Sequence, residues 1–273
     1  MESSLPDMPA GVREHHRRAM ERVVARFRND ERFLALLLGG SVVHGLATET
    51  SDVDILLVAT EEEYALRQQT GELSYYDTED CDYPGGYVDG KILDVSFLRE
   101  AADHGSEPAR AAFKGVVLGF SRLPELPDLL RRIPAYPEAE RAEKIRAFYG
   151  QVQLLARYFI PEAEKRRDPY LLLQSAANLC LYSSRLVLAE NRVLFPSHKR
   201  LMETVAVVPD QPEHFQERIA ALLAQPGTAT AQDVLTCVEA YRDWGITFRQ
   251  AVVRYTQDTE WRWRTSRPDL ADW

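Results

Sequence analysis

The chain changes its pattern once, at a proline-rich segment, and this change constrains the fold most. Between residues 33 and 121, short runs of Leu, Val and Ile alternate with Gly, Asp and Pro, which indicates strands separated by helices and turns. From about Pro134 onward, apolar residues recur at three- and four-residue spacing, which predicts helices. Residues 123–137 contain four prolines and separate the two patterns. We therefore place a domain boundary there.

The apolar runs and the segments between them predict the individual elements. Strands are predicted at residues 33–38, 53–58, 87–88, 92–98 and 116–120. Helices of the first half are predicted at residues 12–28, 61–69, 98–103 and 107–113. Helices of the second half are predicted at residues 139–159, 168–189, 199–205, 213–223 and 231–255. Strands that alternate with helices predict a layered arrangement in the first half.

Composition and charge exclude several classes of protein. The chain has 273 residues, and its hydrophobic fraction of 45% is typical of a folded protein. Its net charge of −9 argues against a general nucleic-acid binder, which would carry a basic surface. No apolar run approaches the roughly 20 residues of a membrane span, and residues 1–10 lack a signal-peptide core. Three distant cysteines argue against a zinc site or a disulfide framework. We therefore expect a cytoplasmic protein without a membrane partner.

The segment that carries chemistry is a glycine-rich turn followed by two carboxylates. Asp52 and Asp54 open an apolar strand, so period-two geometry places both on one face with Cα atoms about 6.5–7 Å apart. Two such carboxylates can bridge a pair of Mg²⁺ ions about 3.5–4 Å apart. Gly39 and Gly40 let the backbone approach a phosphate, and Ser41 offers a hydroxyl or a helix cap. Each piece alone also fits an ordinary turn or a polar strand end, but their combination favours a functional site.

This combination resembles the signature of a known enzyme superfamily. Gly39-Gly40-Ser41 followed by Asp52-Val53-Asp54 is similar to the hydrophobic-Gly-[Gly/Ser] turn and Asp-x-Asp pair of the DNA polymerase β-type nucleotidyltransferases. Branches with a helical C-terminal domain, such as the antibiotic adenylyltransferases, resemble this chain most in organisation. The resemblance implies an α+β fold: a nucleotidyltransferase-type mixed sheet with helices, followed by an all-α helical bundle domain. We expect a catalytic domain over residues 1–130, a helical domain over 135–273, and the active site between them.

The resemblance also implies an activity. We expect an enzyme, an adenylyltransferase-like nucleotidyltransferase, that moves a nucleoside monophosphate, by preference AMP, from an NTP to a hydroxyl of a small-molecule acceptor such as an aminoglycoside-like cation. Asp52 and Asp54 would bind two Mg²⁺ ions, and the turn from Gly39 to Ser41 would hold the triphosphate of ATP. Protein nucleotidylation is one alternative. A non-catalytic nucleotide-binding module, of the kind found in toxin–antitoxin systems, is another.

The superfamily pattern implies a third carboxylate on a nearby strand. Asp89-Gly90 is a strong two-residue hairpin signal, which would place Asp94 in the returning strand between Leu93 and Val95. By the resemblance, and because a carboxylate is costly in an apolar strand, Asp94 is the predicted third metal ligand or general base. Asp89 is the alternative.

Three further segments are open to two interpretations. The acidic residues Asp77, Glu79, Asp80 and Asp82 form either a solvated loop or the lip of a pocket for a cationic acceptor. Lys199, in a basic turn after Ser197, is a predicted phosphate contact from the second domain, since basic residues at a helix start oppose the helix dipole. The spacing of Arg192 and His198 also resembles the Arg-x(4–6)-His motif of HEPN ribonucleases, an RNA-cleaving alternative.

Overall fold

The computed structural model describes residues 5, 8 and 11–266, so most of the N-terminal segment considered for a signal peptide lies outside it. The chain divides into two compact units, Met1–Ala135 and Tyr136–Trp273. The division falls inside the proline-rich segment 123–137. Each unit has its own buried apolar core and is described by itself.

The first unit is built on a mixed sheet. Its strands, within the described residues, are β1 (Phe33–Gly39), β2 (Val53–Ala59), β3 (Ser74–Asp77), β4 (Val88–Leu93) and β5 (Val117–Ser121). They lie in the order β3-β4-β2-β1-β5. The β2–β4 pair is parallel and the other pairs are antiparallel. The predicted mixed sheet is therefore confirmed.

Helices cover both faces of this sheet. They are α1 (Glu14–Arg28), α2 (Gly40–Val43), α3 (Glu61–Thr70), α4 (Val95–His104), α5 (Glu107–Ala111) and α6 (Leu126–Arg132). One face packs against α1, whose Met20, Val23 and Val24 are fully buried. The other face packs against α4 and α6, with Leu98 and Leu126 in its core. Successive strand residues alternate between the two cores, as a period of two requires.

The structure corrects the predicted course of the chain around Asp89. Asp89-Gly90 is not a hairpin turn, because both residues lie inside β4, which pairs with β2 on one side and β3 on the other. Gly90 is instead required by close packing, since a Cβ there would lie 2.4 Å from Cγ1 of Ile55. The predicted strand 92–98 is also wrong beyond Leu93, because Asp94 caps α4 at that point. The short, largely polar β3 was not predicted.

The second unit is helical, as predicted. Its helices are α7 (Glu138–Leu154), α8 (Ile160–Arg166), α9 (Pro169–Glu190), α10 (Leu201–Ala206), α11 (Phe215–Ala224), α12 (Thr228–Tyr241) and α13 (Phe248–Tyr255). The predicted helix 231–255 is two helices, separated by a turn in which Gly245 has φ +69° and donates its N–H to the Asp243 carboxylate. Single π-helical turns follow α7, at Leu155–Phe159, and α13, at Thr256–Glu260.

Helix α9 forms much of this second core. It is long and apolar enough to cross a membrane by length and composition alone. Half of its most apolar 18-residue window is buried within the protein, and Ala176, Leu179 and Leu186 lie in the core of the helical unit. In this structure α9 is therefore a core helix.

Candidate active site

Three carboxylates from two neighbouring strands converge at one edge of the sheet. Asp52 directly precedes β2, Asp54 is its second residue, and Asp89 is the second residue of β4. One carboxylate oxygen of each lies within 4.8 Å of the others. In the parallel register Asp54 pairs with Asp89, so both side chains project from the same face. The structure therefore brings the predicted Asp52 and Asp54 together with Asp89, the alternative candidate for the third carboxylate.

Asp94, the predicted third carboxylate, does not belong to this cluster. It follows the last residue of β4, five positions beyond Asp89, and an extended chain covers roughly 16 Å over that distance. Its carboxylate accepts the backbone N–H of Phe97 at 2.8 Å and the hydroxyl of Ser96 at 2.5 Å. Asp94 is thus the N-cap of α4, a role in which an Asp stabilises a helix. This cap explains why an Asp stands between apolar neighbours at this position.

The glycine turn lies against the same carboxylates. Gly39 pairs with Asp54 in the β1–β2 register, and Gly40 begins α2 with φ +70°. A Cβ at residue 40 would lie 1.6 Å from Oδ2 of Asp54, so no side chain fits there. Ser41 is half-buried in α2, and its carbonyl accepts the N–H of Leu46 at 2.9 Å. The predicted turn and the Asp-x-Asp pair are therefore in direct contact.

His44 holds this turn in place. Its two ring nitrogens contact the carbonyl oxygens of Gly40 and Lys114, the latter at 2.8 Å. The histidine thus links the glycine turn to the segment before β5. These contacts give His44 a structural role beside the glycine turn.

The backbone before Asp52 is anchored by two residues that the sequence did not single out. The hydroxyl of Tyr83 donates to the carbonyl of Ser51 at 2.8 Å, and Nε2 of His16 lies 3.2 Å from the same oxygen. His16 is fully buried, and its ring meets that of Tyr83 edge-on, with centroids 5.0 Å apart. Burial lowers the pKa of His16, and the neighbouring His15 lowers it further. The carbonyl next to Asp52 is therefore fixed from the side of α1.

An aromatic pair borders the carboxylates. Tyr87 lies two residues before Asp89. Its pKa is raised, chiefly by the negative charge of Asp52, and burial and a hydrogen bond with Asp52 raise it further. Its ring centroid lies 5.3 Å from that of Tyr76, which pairs with Asp89 across β3–β4 and is 67% exposed. The sequence could have indicated Tyr87, because a residue two positions before Asp89 lies on the same face of a strand. It could not have indicated Tyr76, which is brought next to Asp89 by strand β3, and that strand was not predicted.

The acidic loop before β4 has a different function from the carboxylate cluster. Its four carboxylates pair with arginines of α1: Asp77, Glu79 and Asp80 with Arg26, and Asp82 with Arg18 and Arg22. These ion pairs attach the loop to α1 and compensate its charge, which favours a structural role over a cation-attracting lip. By contrast, no arginine or lysine in the described part of the chain pairs with Asp52 or Asp89. Asp52 and Asp89 therefore differ from the carboxylates of the acidic loop, which form a structural ion-pair network with α1.

The predicted contact from the helical unit stays a prediction. Lys199 is exposed in a short 3-10 turn, His198–Arg200, which Ser197 does not cap with its side chain. Arg192, the first residue of the alternative ribonuclease motif, makes two hydrogen bonds to the carboxylate of Glu138, at 2.8 and 3.1 Å. That arginine therefore has a structural partner within its own unit.

Comparison with known proteins supports the interpretation of the first unit. Residues 20–101, which include β1, β2, β4 and all three carboxylates, match the family described as Nucleotidyltransferase domain. No curated protein matches the chain.

Two solved structures are similar to the chain in part. One is a nucleotidyltransferase-like protein from Exiguobacterium sibiricum 255-15, 12% identical over 92% of this chain and 81% of that one, with a TM-score of 0.48. The other is the spectinomycin adenyltransferase AAD(9) from Enterococcus faecialis with ATP and spectinomycin, 14% identical over 88% of this chain and 94% of that one, with a TM-score of 0.31. Because both TM-scores are below 0.5, the assignment depends on the family match and on the site itself. On that basis, residues 20–101 match a nucleotidyltransferase domain, and the three carboxylates and the glycine turn lie within the matched residues.

Proposed function

We propose that this enzyme transfers a nucleoside monophosphate, by preference AMP from ATP, to a hydroxyl group of a small cationic acceptor. The observation that carries the proposal is the convergence of Asp52, Asp54 and Asp89 beside the turn at Gly40. A nucleotidyltransferase needs such carboxylates next to a backbone that can approach a triphosphate.

The donor set fits Mg²⁺. All three side chains offer carboxylate oxygens, which are the ligands that Mg²⁺ prefers. Three like charges within 4.8 Å repel one another unless a cation compensates them, and neither Asp52 nor Asp89 has a basic partner among the described residues. Asp52 and Asp54 would hold two ions. When bound, Mg²⁺ supplies neutralisation of the phosphate charge and polarisation of the α-phosphoryl group.

The exposed carboxylate of Asp89 is placed to move a proton. In the proposed step, Asp89 accepts the proton of the acceptor hydroxyl, and the hydroxyl oxygen bonds to the α-phosphorus. The bond between the α-phosphorus and the bridging oxygen of the leaving group breaks, and pyrophosphate departs with that electron pair. Because Gly40 lacks a side chain, the backbone of the turn lies directly against the Asp54 carboxylate, so a triphosphate bound to the turn would also be next to the metal ligands. Asp89 thus takes the base role that the sequence suggested for Asp94.

The surroundings of the cluster support an acceptor with an amino group. The ring of Tyr76 is 67% exposed and packs against Tyr87 beside the carboxylates. Aromatic faces and carboxylates together attract cations that also carry hydroxyl groups. An aminoglycoside-like compound has both groups, and the cytoplasmic location that we predict would give it access to ATP.

The test is an incubation of the whole chain with labelled NTPs, Mg²⁺ and a panel of hydroxylated acceptors with and without amino groups. We expect NMP transfer to a cationic acceptor and its loss in Asp52→Asn and Asp54→Asn. Asp103→Asn is the matched control, because Asp103 is an exposed carboxylate of α4 that pairs with Arg132.

The other outcomes of this test identify the alternatives. Label on a protein instead of a small molecule would indicate protein nucleotidylation. NTP binding without turnover on any acceptor would indicate a non-catalytic module. Full activity in both Asp variants would contradict the proposed metal site.

A further inference from the structure

His44 connects two turns of the first unit through both of its ring nitrogens. Nδ1 lies 2.5 Å from the carbonyl oxygen of Gly40, and Nε2 lies 2.8 Å from the carbonyl oxygen of Lys114. Gly40 begins α2 with φ +70°, and Gly115, which follows Lys114, has φ +69°. The ring therefore bridges the glycine turn at the carboxylate cluster and the turn that leads into β5.

The chemistry of these two contacts requires a charged ring. A carbonyl oxygen only accepts hydrogen bonds, so each ring nitrogen of His44 has to donate one. A neutral imidazole carries a single N–H and can make only one of the two bonds, whereas an imidazolium carries two. Both bonds are therefore present together only when His44 is protonated.

The surroundings of the ring are arranged for both contacts. A Cβ at residue 115 would lie 3.0 Å from Nε2 of His44, so a side chain there would push the ring away from Lys114. The backbone that carries His44 is closed by the N–H of Leu46, which donates to the carbonyl of Ser41 at 2.9 Å. His44 itself is exposed, so its ring exchanges protons with water directly. The bridge is held on both sides while its proton stays accessible.

We propose that His44 is a positioning residue of the nucleotide site: its imidazolium fixes the turn at Gly40 for the triphosphate, and its deprotonation weakens NTP binding. The inference rests on the proposed function, in which this turn holds the triphosphate next to Asp54. The carbonyl of Gly40 and the N–H of Ser41 belong to one planar peptide group, so a bond that holds the carbonyl also fixes the direction of the N–H. The positive ring also attracts the phosphate charge.

The direction of the pH dependence follows from these contacts. Most histidines in proteins titrate within about one unit of pH 6.6, so measurements at pH 5.5 and 8.5 compare a ring with two protons and a ring with one. One bond of the bridge is lost at the higher pH, and NTP affinity should fall with it. The charged side chains on the segments in contact with this bridge are Asp54, which touches Gly40, and Lys114. Both are retained in every variant of the test.

The test measures the Kd of ATP with Mg²⁺ by calorimetry on the full chain at pH 5.5 and 8.5. Between these pH values, ATP affinity should fall about threefold to tenfold more in the wild type than in His44→Gln, which corresponds to one hydrogen bond. His104→Gln is the matched control, because His104 is an exposed histidine of α4 and lies outside the bridge. It should follow the wild type. A merely structural His44 would change the affinity equally at both pH values.

A second pair of variants tests the bridge with His44 in place. Gly115→Ala forces the ring away from the carbonyl of Lys114 and should reduce the pH dependence of ATP affinity. Gly71→Ala is its control, because Gly71 also has a positive φ but nothing lies within 4 Å of its Cβ position. This variant carries the same kind of backbone strain and should keep the pH dependence of the wild type.

The outcomes separate this inference from the proposed function. If ATP does not bind at either pH, the proposed function is wrong and the inference is wrong with it. If ATP binds and its affinity changes with pH equally in the wild type and in His44→Gln, only the inference is overturned. The same conclusion follows if His104→Gln loses the pH dependence as well, or if Gly115→Ala and Gly71→Ala behave alike.

Discussion

Oδ2 of Asp54 lies 1.6 Å from the position that a Cβ of residue 40 would occupy, so the glycine turn and the carboxylate cluster fit together only without a side chain at that position. The backbone of Gly40 also has φ +70°, which L residues with a Cβ adopt at a cost. Residue 40 must therefore be glycine for two separate reasons, its positive φ and the close approach of Asp54. A matched pair of variants can separate these two effects.

We predict that Gly40→Ala abolishes Mg²⁺-dependent NTP binding. Its control is Gly71→Ala, because Gly71 has φ +77° but nothing within 4 Å of its Cβ position. Both variants should lose about 1 kcal/mol of stability from backbone strain. Only Gly40→Ala should displace Asp54 and lose nucleotide affinity in calorimetry. Equal affinity in the two variants would mean that the turn is merely structural.

The anchoring of Ser51 predicts a change in metal requirement. Tyr83→Phe removes the hydrogen bond to the carbonyl that precedes Asp52 and should cost about 1 kcal/mol of stability. We expect the Mg²⁺ concentration for half-maximal activity to rise several-fold, while turnover at saturating Mg²⁺ stays within about twofold of wild type.

The control for this prediction is Tyr241→Phe, which removes a similar bond to the carbonyl of Asp210 in the helical unit. It should lower stability without changing the Mg²⁺ dependence. If the two variants show the same Mg²⁺ dependence, Tyr83 has no part in positioning Asp52.

Buried His16 predicts a dependence of stability on pH. Burial, with His15, lowers its pKa in the folded state below the ordinary value of 6.5, so the unfolded chain binds a proton first as the pH falls. The stabilisation that comes from keeping His16 neutral is fully present above pH 6.5. It is lost as the pH falls below 6.5 toward the lower pKa of the folded state. Urea unfolding at pH 7.5 and 5.5 should show a loss of stability on acidification that is smaller in His16→Gln. An equal loss in both proteins would exclude His16 as its source.

The sequence predicted the pair Asp52 and Asp54 because its signal is local. Two carboxylates at a strand start, after a glycine turn, lie on one face whatever the strand pairs with. Asp89 needs the parallel pairing of β2 with β4, which joins residues that are distant in sequence. The local signal Asp89-Gly90 pointed to a hairpin, whereas Gly90 is a glycine because of Ile55 on the neighbouring strand. The choice of Asp94 followed from that error.

In the helical half, too, the sequence predicted the features that depend on local pattern and missed those that depend on contacts between distant segments. Periodicity predicted most helices of the second unit and placed Asp168 as the N-cap of α9, where it accepts the N–H of Leu171. It did not predict the break between α12 and α13 or the two π-turns, since these depend on packing between segments far apart in the chain. The anchors His16 and Tyr83 were missed for this reason too, because nothing in their local sequence relates them to Ser51.

The most direct test of the account compares turnover in Asp89→Asn and Asp94→Asn, measured as NMP transfer with saturating NTP and Mg²⁺. Asp89→Asn should lower turnover by at least about 10²-fold, the lower end of what a general base contributes, while NTP binding falls much less. Asp94→Asn should keep turnover within about twofold of wild type and lose up to about 1 kcal/mol of stability through the weakened cap of α4. Wild-type turnover in Asp89→Asn together with a large loss in Asp94→Asn would contradict the assignment of the third carboxylate.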